Sequence, residues 1–267
     1  MAGPAPSNAS APASAVGGWS RPSVVAQVGR FAALWLRELS RPRLLIGVAL
    51  LALTLLALIG LGARAQPGDV AATRQGAIDL AGPALGLLAL ALGARALRRD
   101  ADAGALDGWL LRPHGALALP LGRALAVAAF TAGFAAVVIV GVALIDAYLG
   151  RSPVLPRLPL QAAAFGLGGL TYAAVGLGCA SLGRGYVVLA LGWWLTVDTG
   201  LSQAGEGLES LALRPAVALI AGHDSDIGLF DLSDAARRFW GAAVRLCVVA
   251  AGALAVACLR MRRDAPD

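Results

Sequence analysis

Six long apolar runs decide what this chain can fold into. They cover residues 44–63, 78–97, 121–149, 158–182, 186–201 and 240–259. About 20 consecutive apolar residues in a helix cross the hydrocarbon core of a bilayer. Apolar residues make up 58% of the sequence and charged residues only 14%, whereas an ordinary soluble domain is about 25% charged. We therefore predict an all-α, polytopic integral membrane protein with six transmembrane helices.

Two segments precede the first apolar run. Residues 1–22 are rich in Ala, Pro, Ser and Gly without periodicity, which predicts a disordered tail. Residues 23–41 have arginines on one helical face and apolar side chains on another, namely Val24, Val28, Phe31, Trp35 and Leu39. This pattern is typical of an amphipathic elbow helix in the membrane interface, and it also suits a cytoplasmic helix packed on a partner. Residues 23–263 then form one membrane domain.

The arginines predict how the spans are oriented. Every one of the 22 basic residues is an arginine, and the formal charge is +6. If the N-terminus is cytoplasmic, most arginines face the cytoplasm, including the groups within 21–43, 95–123 and 260–263. We therefore expect both termini and the segment 95–123 to be cytoplasmic, with the chain in the inner membrane of a cell. Because the basic residues flank apolar spans, we expect no nucleic-acid partner.

The sequence lacks the residues that several kinds of catalytic site require. Without a lysine it cannot form the P-loop that binds nucleotide phosphates. It contains no Ser-His-Asp arrangement and no G-x-S-x-G or H-E-x-x-H pattern, and the acidic residues around His223 fit no zinc or calcium spacing. We therefore predict that this chain is not an enzyme and holds no cofactor or metal ion.

The segment 95–123 is the only long charged stretch between two apolar runs. Its pattern predicts a short helix over residues 100–111, with acidic residues in a first turn, where the helix dipole favours carboxylates. Leu106, Trp109 and Leu110 are spaced i, i+3 and i+4, so they share one face of that helix. Such a helix at the membrane surface either lies on the lipid or provides a docking site for another protein.

This segment and the order of the spans resemble the permease subunits of type-2 ABC transporters. Those permeases carry a motif similar to E-x-E-x-G-T-L-E-x-L-L-x-x-P between their second and third spans, followed by Gly-Lys. The matching residues here are Asp100, Asp102, Gly104, Ala105, Leu106, Asp107, Leu110, Leu111 and Pro113, then Gly122 and Arg123. Aspartate replaces each glutamate, alanine replaces the threonine and arginine replaces the lysine, so the charges are kept.

The resemblance implies that the segment is a coupling helix, which seats in a groove of a separate ATP-binding subunit. It implies two copies of that subunit, which would bind ATP and magnesium, and a second permease chain in a homodimer or heterodimer. The complex would export a substrate by alternating access at the permease interface. The residues expected to dock are Asp100, Asp102, Gly104, Leu106, Asp107, Leu110, Leu111, Pro113 and Arg123.

Two other classes of function remain open. One is a non-transporting anchor or assembly factor for a neighbouring complex, in which the coupling-helix pattern has no role. The other is a secondary transporter. Proton or sodium coupling needs buried carboxylates near the bilayer midplane, and the sequence leads us to expect none there.

Two features near the later spans call for an explanation. Asp146, Asp198 and Arg245 lie within or near the outer ends of their spans, and a charge at membrane depth usually has a partner. We expect either an ion pair of Arg245 with one of the two aspartates, above all Asp198, or side chains that extend to the interface. Residues 208–222 are apolar but short and contain Pro215, which predicts a re-entrant or surface helix.

Overall fold

The computed structural model describes residues 23–65, 70–111, 114–150, 158–183, 185–200, 212–222 and 234–263. In these ranges the regular secondary structure is entirely helical. The helices are α1 Val24–Leu39, α2 Pro42–Ala65, α3 Val70–Asp102, α4 Leu106–Leu110, α5 Gly115–Tyr148, α6 Leu158–Ser181, α7 Tyr186–Trp193, α8 Leu213–Gly222 and α9 Asp234–Arg263, with a π-helical segment at Trp194–Gly200. The predicted all-α fold is thereby confirmed.

Five of these helices, α2, α3, α5, α6 and α9, are long and apolar enough to cross a membrane. The shortest has 24 residues, or about 36 Å at a rise of about 1.5 Å per residue, against a hydrocarbon core of about 30 Å. The chain is therefore a multi-pass helical membrane protein. Helices α3, α5 and α9 run past the predicted ends of their apolar runs, because the apolar pattern marks only the hydrocarbon-sized part of each helix.

The predicted fifth span, residues 186–201, differs from the other five. It folds as α7, which has eight residues, followed by the π-helical segment, which has seven. Together they are about 22 Å long even at the α-helical rise, which is shorter than the hydrocarbon core. The count of six spans therefore stays a prediction.

Helix α1 forms where the sequence predicts an amphipathic helix. The Ser23 hydroxyl caps it by accepting a hydrogen bond from the Ala26 N–H (3.3 Å). Phe31, Trp35 and Leu39 are buried, and the helix packs against α5. The face expected to meet lipid thus belongs to the protein core, and the position of α1 relative to a membrane surface stays a prediction.

Helix α6 lies at the centre of the bundle and contacts α3, α5 and α9. Its crossing with α3 leaves no room for side chains. A Cβ atom on Gly176 would lie 2.2 Å from the Leu90 carbonyl oxygen, and one on Gly93 would lie 2.3 Å from the Ala173 carbonyl oxygen. Small residues at such a crossing let two helix backbones touch. The core therefore depends on glycine at both positions.

Contacts between the helices also define their directions. The Thr171 hydroxyl donates to the Leu246 carbonyl (3.2 Å), and a Cβ on Gly178 would contact the Ala253 carbonyl, so α6 and α9 run parallel. Helices α3, α5 and α6 alternate in direction, so α3, α6 and α9 end on the same side of the bundle. We call this side the basic end, because it carries Arg37, Arg41, Arg43, Arg95, Arg98, Arg99, Arg123, Arg260, Arg262 and Arg263.

We expect Gly176→Ala to lower the thermal unfolding midpoint in detergent. The new Cβ does not fit against the Leu90 carbonyl, and overpacking costs about 1–3 kcal/mol, more than the roughly 0.5–1 kcal/mol that alanine gains over glycine inside a helix. Gly133→Ala on α5 is the matched control, because nothing lies within 4 Å of its Cβ position. It should raise the midpoint slightly, and equal midpoints for the two variants would contradict the close crossing.

Candidate functional site

The predicted coupling segment lies at the basic end, between α3 and α5, but it is not one helix over residues 100–111. Asp100 and Asp102 belong to the last turn of α3, and the separate helix α4 comprises only Leu106–Leu110. The prediction that these acids lie in a first turn was therefore wrong. The helix of the second apolar run continues through the charged residues before it ends.

Gly104 explains where α3 ends. Its φ of +65° is left-handed, a conformation that glycine adopts without strain because it has no Cβ. The Ala105 N–H donates to the Asp100 carbonyl (3.0 Å), and the Gly104 N–H donates to the Ala101 carbonyl (3.2 Å). This hydrogen-bond pattern is the Schellman motif. The glycine of the predicted docking motif therefore terminates α3 and begins the turn into α4.

Both acids in the last turn of α3 have an arginine partner, which offsets the unfavourable helix dipole at that position. The Arg98 Nε atom lies 3.1 Å from Asp102 Oδ1, within the same helix. Asp100 binds Arg123 of α5 through its Oδ2 atom. Two of the residues expected to dock a partner, Asp100 and Arg123, thus pair with each other inside the chain.

The Arg123 guanidinium is almost entirely enclosed, with 6% of the side chain exposed. It also donates to the Ala96 carbonyl oxygen of α3. Its Cζ atom lies 5.5 Å from the ring centroid of Trp35 on α1. A buried guanidinium needs a counter-charge and hydrogen-bond acceptors, and α3 supplies both. One side chain therefore ties α5 to α3 and to α1.

Glu38 adds a second link between α1 and α3. Its carboxylate binds Arg99 of α3 and also Arg41, whose Nη2 atom lies 2.5 Å from Oε1. The hydrogen bond from Arg99 lowers the pKa of the Glu38 carboxyl below its ordinary value. Glu38 was not among the residues predicted from the sequence, although it is the only acid of α1. We call the linked set the charged junction: Trp35, Glu38, Arg99, Asp100 and Arg123.

Helix α4 turns its apolar face into the protein. Leu110 is buried, and Leu106 packs against the core. The ring of Trp109 meets Phe31 of α1 edge to face, with centroids 5.3 Å apart. The predicted shared face of Leu106, Trp109 and Leu110 is therefore present, and it contacts α1 and the core.

The exposed side of the turn between α3 and α5 is small, and we call it the hairpin tip: Asp102, Gly104, Gly108 and Leu111. The Asp102 side chain is 63% exposed and Leu111 is 70% exposed. The side chain of Asp107 and the whole of Pro113 lie outside the described residues. The tip thus presents a carboxylate and an apolar side chain, while Asp100, Leu106, Leu110 and Arg123 are partly or fully buried.

Truncation of Arg123 to alanine should destabilise the protein strongly. The change leaves the Asp100 carboxylate and the Ala96 carbonyl without their donor in an enclosed site. Breaking a buried ion pair costs about 3–5 kcal/mol. Asp102→Ala is the matched control, because its exposed pair with Arg98 is worth about 0.5 kcal/mol or less. Unfolding midpoints in detergent measure both losses. Two similarly small losses would show that the charged junction does not hold the helices together.

Asp198 forms a second candidate site, buried inside the bundle with 1% exposure. Its Oδ1 atom accepts from the backbone N–H groups of Leu213 (3.0 Å) and Arg214 (2.9 Å), at the start of α8. Its Oδ2 atom accepts from the Tyr172 hydroxyl of α6 (2.6 Å). The carboxylate thus caps a helix N-terminus, where unpaired N–H groups and the helix dipole both favour a negative charge.

Helix α8 is the short apolar helix expected within residues 208–222. Pro215 falls in its first turn, where a missing N–H has no intrahelical partner to lose. The helix packs on α3, α6 and α9 through Leu213, Ala216, Val217, Ile220 and Ala221. With ten residues it is too short to cross a bilayer. Its first N–H groups are satisfied by Asp198 within the protein, as a re-entrant helix requires.

The partners of Asp198 differ from the predicted one. Arg245 lies half-buried on α9 and forms no ion pair within 4.0 Å among the residues that the structure describes, so its predicted pair with Asp198 is not formed. Asp146 is fully buried on α5. Tyr172 was not among the predicted site residues, although a phenol in an apolar run indicates a hydrogen-bond partner within the bundle.

Asp198→Ala should loosen α8 and lower the unfolding midpoint. It leaves two backbone N–H groups and the Tyr172 hydroxyl without an acceptor, and each such buried group costs about 1–3 kcal/mol. Asp198→Asn keeps one acceptor oxygen and should lose less. Hydrogen exchange in α8 would report the local effect.

Arg245→Ala tests whether Asp198 acts as a helix cap or as the ion-pair partner of Arg245. Alone and combined with Asp198→Ala, it should give additive losses of stability, because the two side chains do not form a pair. A double variant that loses clearly less than the sum would restore the predicted ion pair and contradict the cap as the main role of Asp198.

Comparison with known proteins assigns this chain to no family. No family model matches it, and no curated protein matches its sequence closely. Within the described ranges, no group of three or more His, Cys, Asp and Glu side chains has the arrangement of a metal site. The function therefore has to be inferred from the contacts of the chain itself.

Proposed function

We propose that this chain is the membrane permease subunit of an ATP-driven exporter of the type-2 ABC kind. The observation that carries the proposal is the hairpin tip, an exposed turn that matches the coupling-helix motif and joins two span-length helices at the basic end. The apolar face of α4 is turned into the protein. This favours a docking site over a helix that lies with its apolar face on lipid.

The charged junction supports this role because it stiffens the base of the tip. A force on the tip reaches α3 through the main chain and reaches α5 through the Arg123–Asp100 pair. The Glu38–Arg99 pair transmits the same displacement to α1. Helices that move as one body can convert the closure of a soluble subunit into a rearrangement within the membrane.

In the proposed complex the basic end faces the cytoplasm, as the excess of arginine favours, and the chain lies in the inner membrane with both termini inside. Two ATP-binding subunits, which bind ATP and magnesium, dock beneath a homodimer or heterodimer of permeases. Asp102 and Leu111 offer the docking groove a carboxylate and an apolar contact. Helix α1 acts as the elbow helix, and α7 with the π-helical segment forms a short fifth span, which brings the number of spans to six.

Co-purification of the tagged chain from its native host in mild detergent tests the proposal. We expect a stoichiometric soluble ATPase and ATP hydrolysis by the preparation. Asp102→Arg combined with Leu111→Arg should remove both without changing the unfolding midpoint. These two side chains suit the test because they are exposed and lie outside the charged junction, unlike Asp100.

Asp79→Arg is the matched control for this test. It repeats the aspartate-to-arginine change made at Asp102, at an exposed position of the same helix, about 35 Å away along the axis of α3. This variant should retain the ATPase. Loss of the ATPase in both variants, or its retention in both, would contradict docking at the hairpin tip. A chain that purifies alone in several detergents would favour an anchor or assembly factor.

A secondary transporter is the second candidate, and Asp198 is the observation that favours it. Asp198 is a buried carboxylate that accepts a hydrogen bond from Tyr172 near the middle of α6, whereas we expected no such group at the bilayer midplane. Ion-coupled carriers use buried carboxylates and interrupted helices around a central site. A carrier of this kind would purify without an ATPase. Asp198→Asn would then abolish proton uptake into proteoliposomes while the protein stays folded.

A further inference from the structure

A deep groove opens between α1, α2 and α3 at the basic end, beside the charged junction and away from the hairpin tip. Its volume is about 580 Å³. Glu38 and four arginines line its mouth: Arg41, Arg43, Arg95 and Arg99. The proposed transport mechanism uses the Glu38–Arg99 pair at the mouth of this groove but no ligand within it.

The mouth of the groove carries more positive charge than the protein neutralises. Glu38 is shared between Arg41 and Arg99. Arg43 and Arg95 are exposed, and neither has a carboxylate within 4.0 Å in the part of the chain that the structure describes. Four guanidinium groups thus meet one carboxylate. An anionic ligand would offset this excess, and phosphate oxygens suit the paired donors of arginine.

Below the mouth the walls of the groove are apolar. Leu44, Val48 and Leu51 line it from α2, and Leu88 and Leu92 line it from α3. Leu51 lies eight residues beyond the arginine of α2 at the mouth, so the wall is about 12 Å deep. This is most of the roughly 15 Å thickness of one leaflet of hydrocarbon. The ligand therefore needs an apolar part as well as a charge.

We propose that this groove binds one anionic phospholipid, with its phosphate between Arg43 and Arg95 and an acyl chain along the apolar wall. A zwitterionic lipid has the same phosphate, but its positive group is repelled by the arginines at the mouth. Helix α2 is the least buried of the five span-length helices. A lipid in the groove fills the space between α2 and α3 and holds α2 in place beside the charged junction.

Native mass spectrometry of the delipidated full chain, titrated with phosphatidylglycerol or phosphatidylcholine, tests this site. We expect one tightly held phosphatidylglycerol and weaker binding of phosphatidylcholine. Arg43→Gln with Arg95→Gln should weaken phosphatidylglycerol binding about 30-fold, the factor expected for losing two arginines beside an anionic lipid. Arg260→Gln with Arg262→Gln removes the same charge from the basic end outside the groove and should leave the affinity unchanged.

A second variant tests the apolar wall. Val48→Trp fills the groove and keeps every arginine, so it should also weaken phosphatidylglycerol binding, while glycerol phosphate should not compete with the lipid. Equal affinity in the wild type and the Arg43→Gln, Arg95→Gln variant overturns the proposal. Competition by glycerol phosphate or inorganic phosphate overturns it as well, because the site would then take a soluble anion. Unchanged unfolding midpoints of the lipid-free variants separate binding from folding.

Discussion

The buried guanidinium of Arg123 is the interaction on which the basic end of the bundle depends. Removing a charge from water is costly, so its site must supply a counter-charge and acceptors. Asp100 and the Ala96 carbonyl supply them from α3, and the Trp35 ring of α1 covers the group. If the three helices separated at this end, the buried charge of Arg123 would lose its counter-charge and its hydrogen-bond acceptors. The hairpin tip therefore stands on a rigid base, which is what a docking site for a moving partner requires.

Asp198 meets a similar need inside the bundle, because it supplies hydrogen-bond acceptors to buried groups. Helix α8 begins among other helices, where its first N–H groups lie away from bulk water and need acceptors. Asp198 accepts from two of them and from the Tyr172 hydroxyl. A carboxylate at depth by itself suggests ion coupling, but these contacts already account for its presence. Any role in transport would have to be compatible with its role as a cap.

The packing of the bundle is uneven, and this decides where it can meet other molecules. Helix α6 is largely enclosed, because Gly176 lets the backbone of α3 approach. Helix α2 is mostly exposed, with Leu50, Leu53 and Leu61 on its outer face. Apolar residues on the outside of a spanning helix meet lipid or a second chain. The groove beside α2 therefore opens on the side where the protein contacts its surroundings.

By itself, the sequence determined that the chain is a helical membrane protein and where most long helices lie, because run length and helical period are local properties. It also located the turn between α3 and α5. It misplaced Asp100, because the dipole argument considers one helix alone. The tertiary structure decided the pairs of Asp198 with Tyr172 and of Glu38 with Arg99, which are 26 and 61 residues apart. Such pairs depend on how the helices cross, and the apolar pattern of a single helix does not specify a crossing.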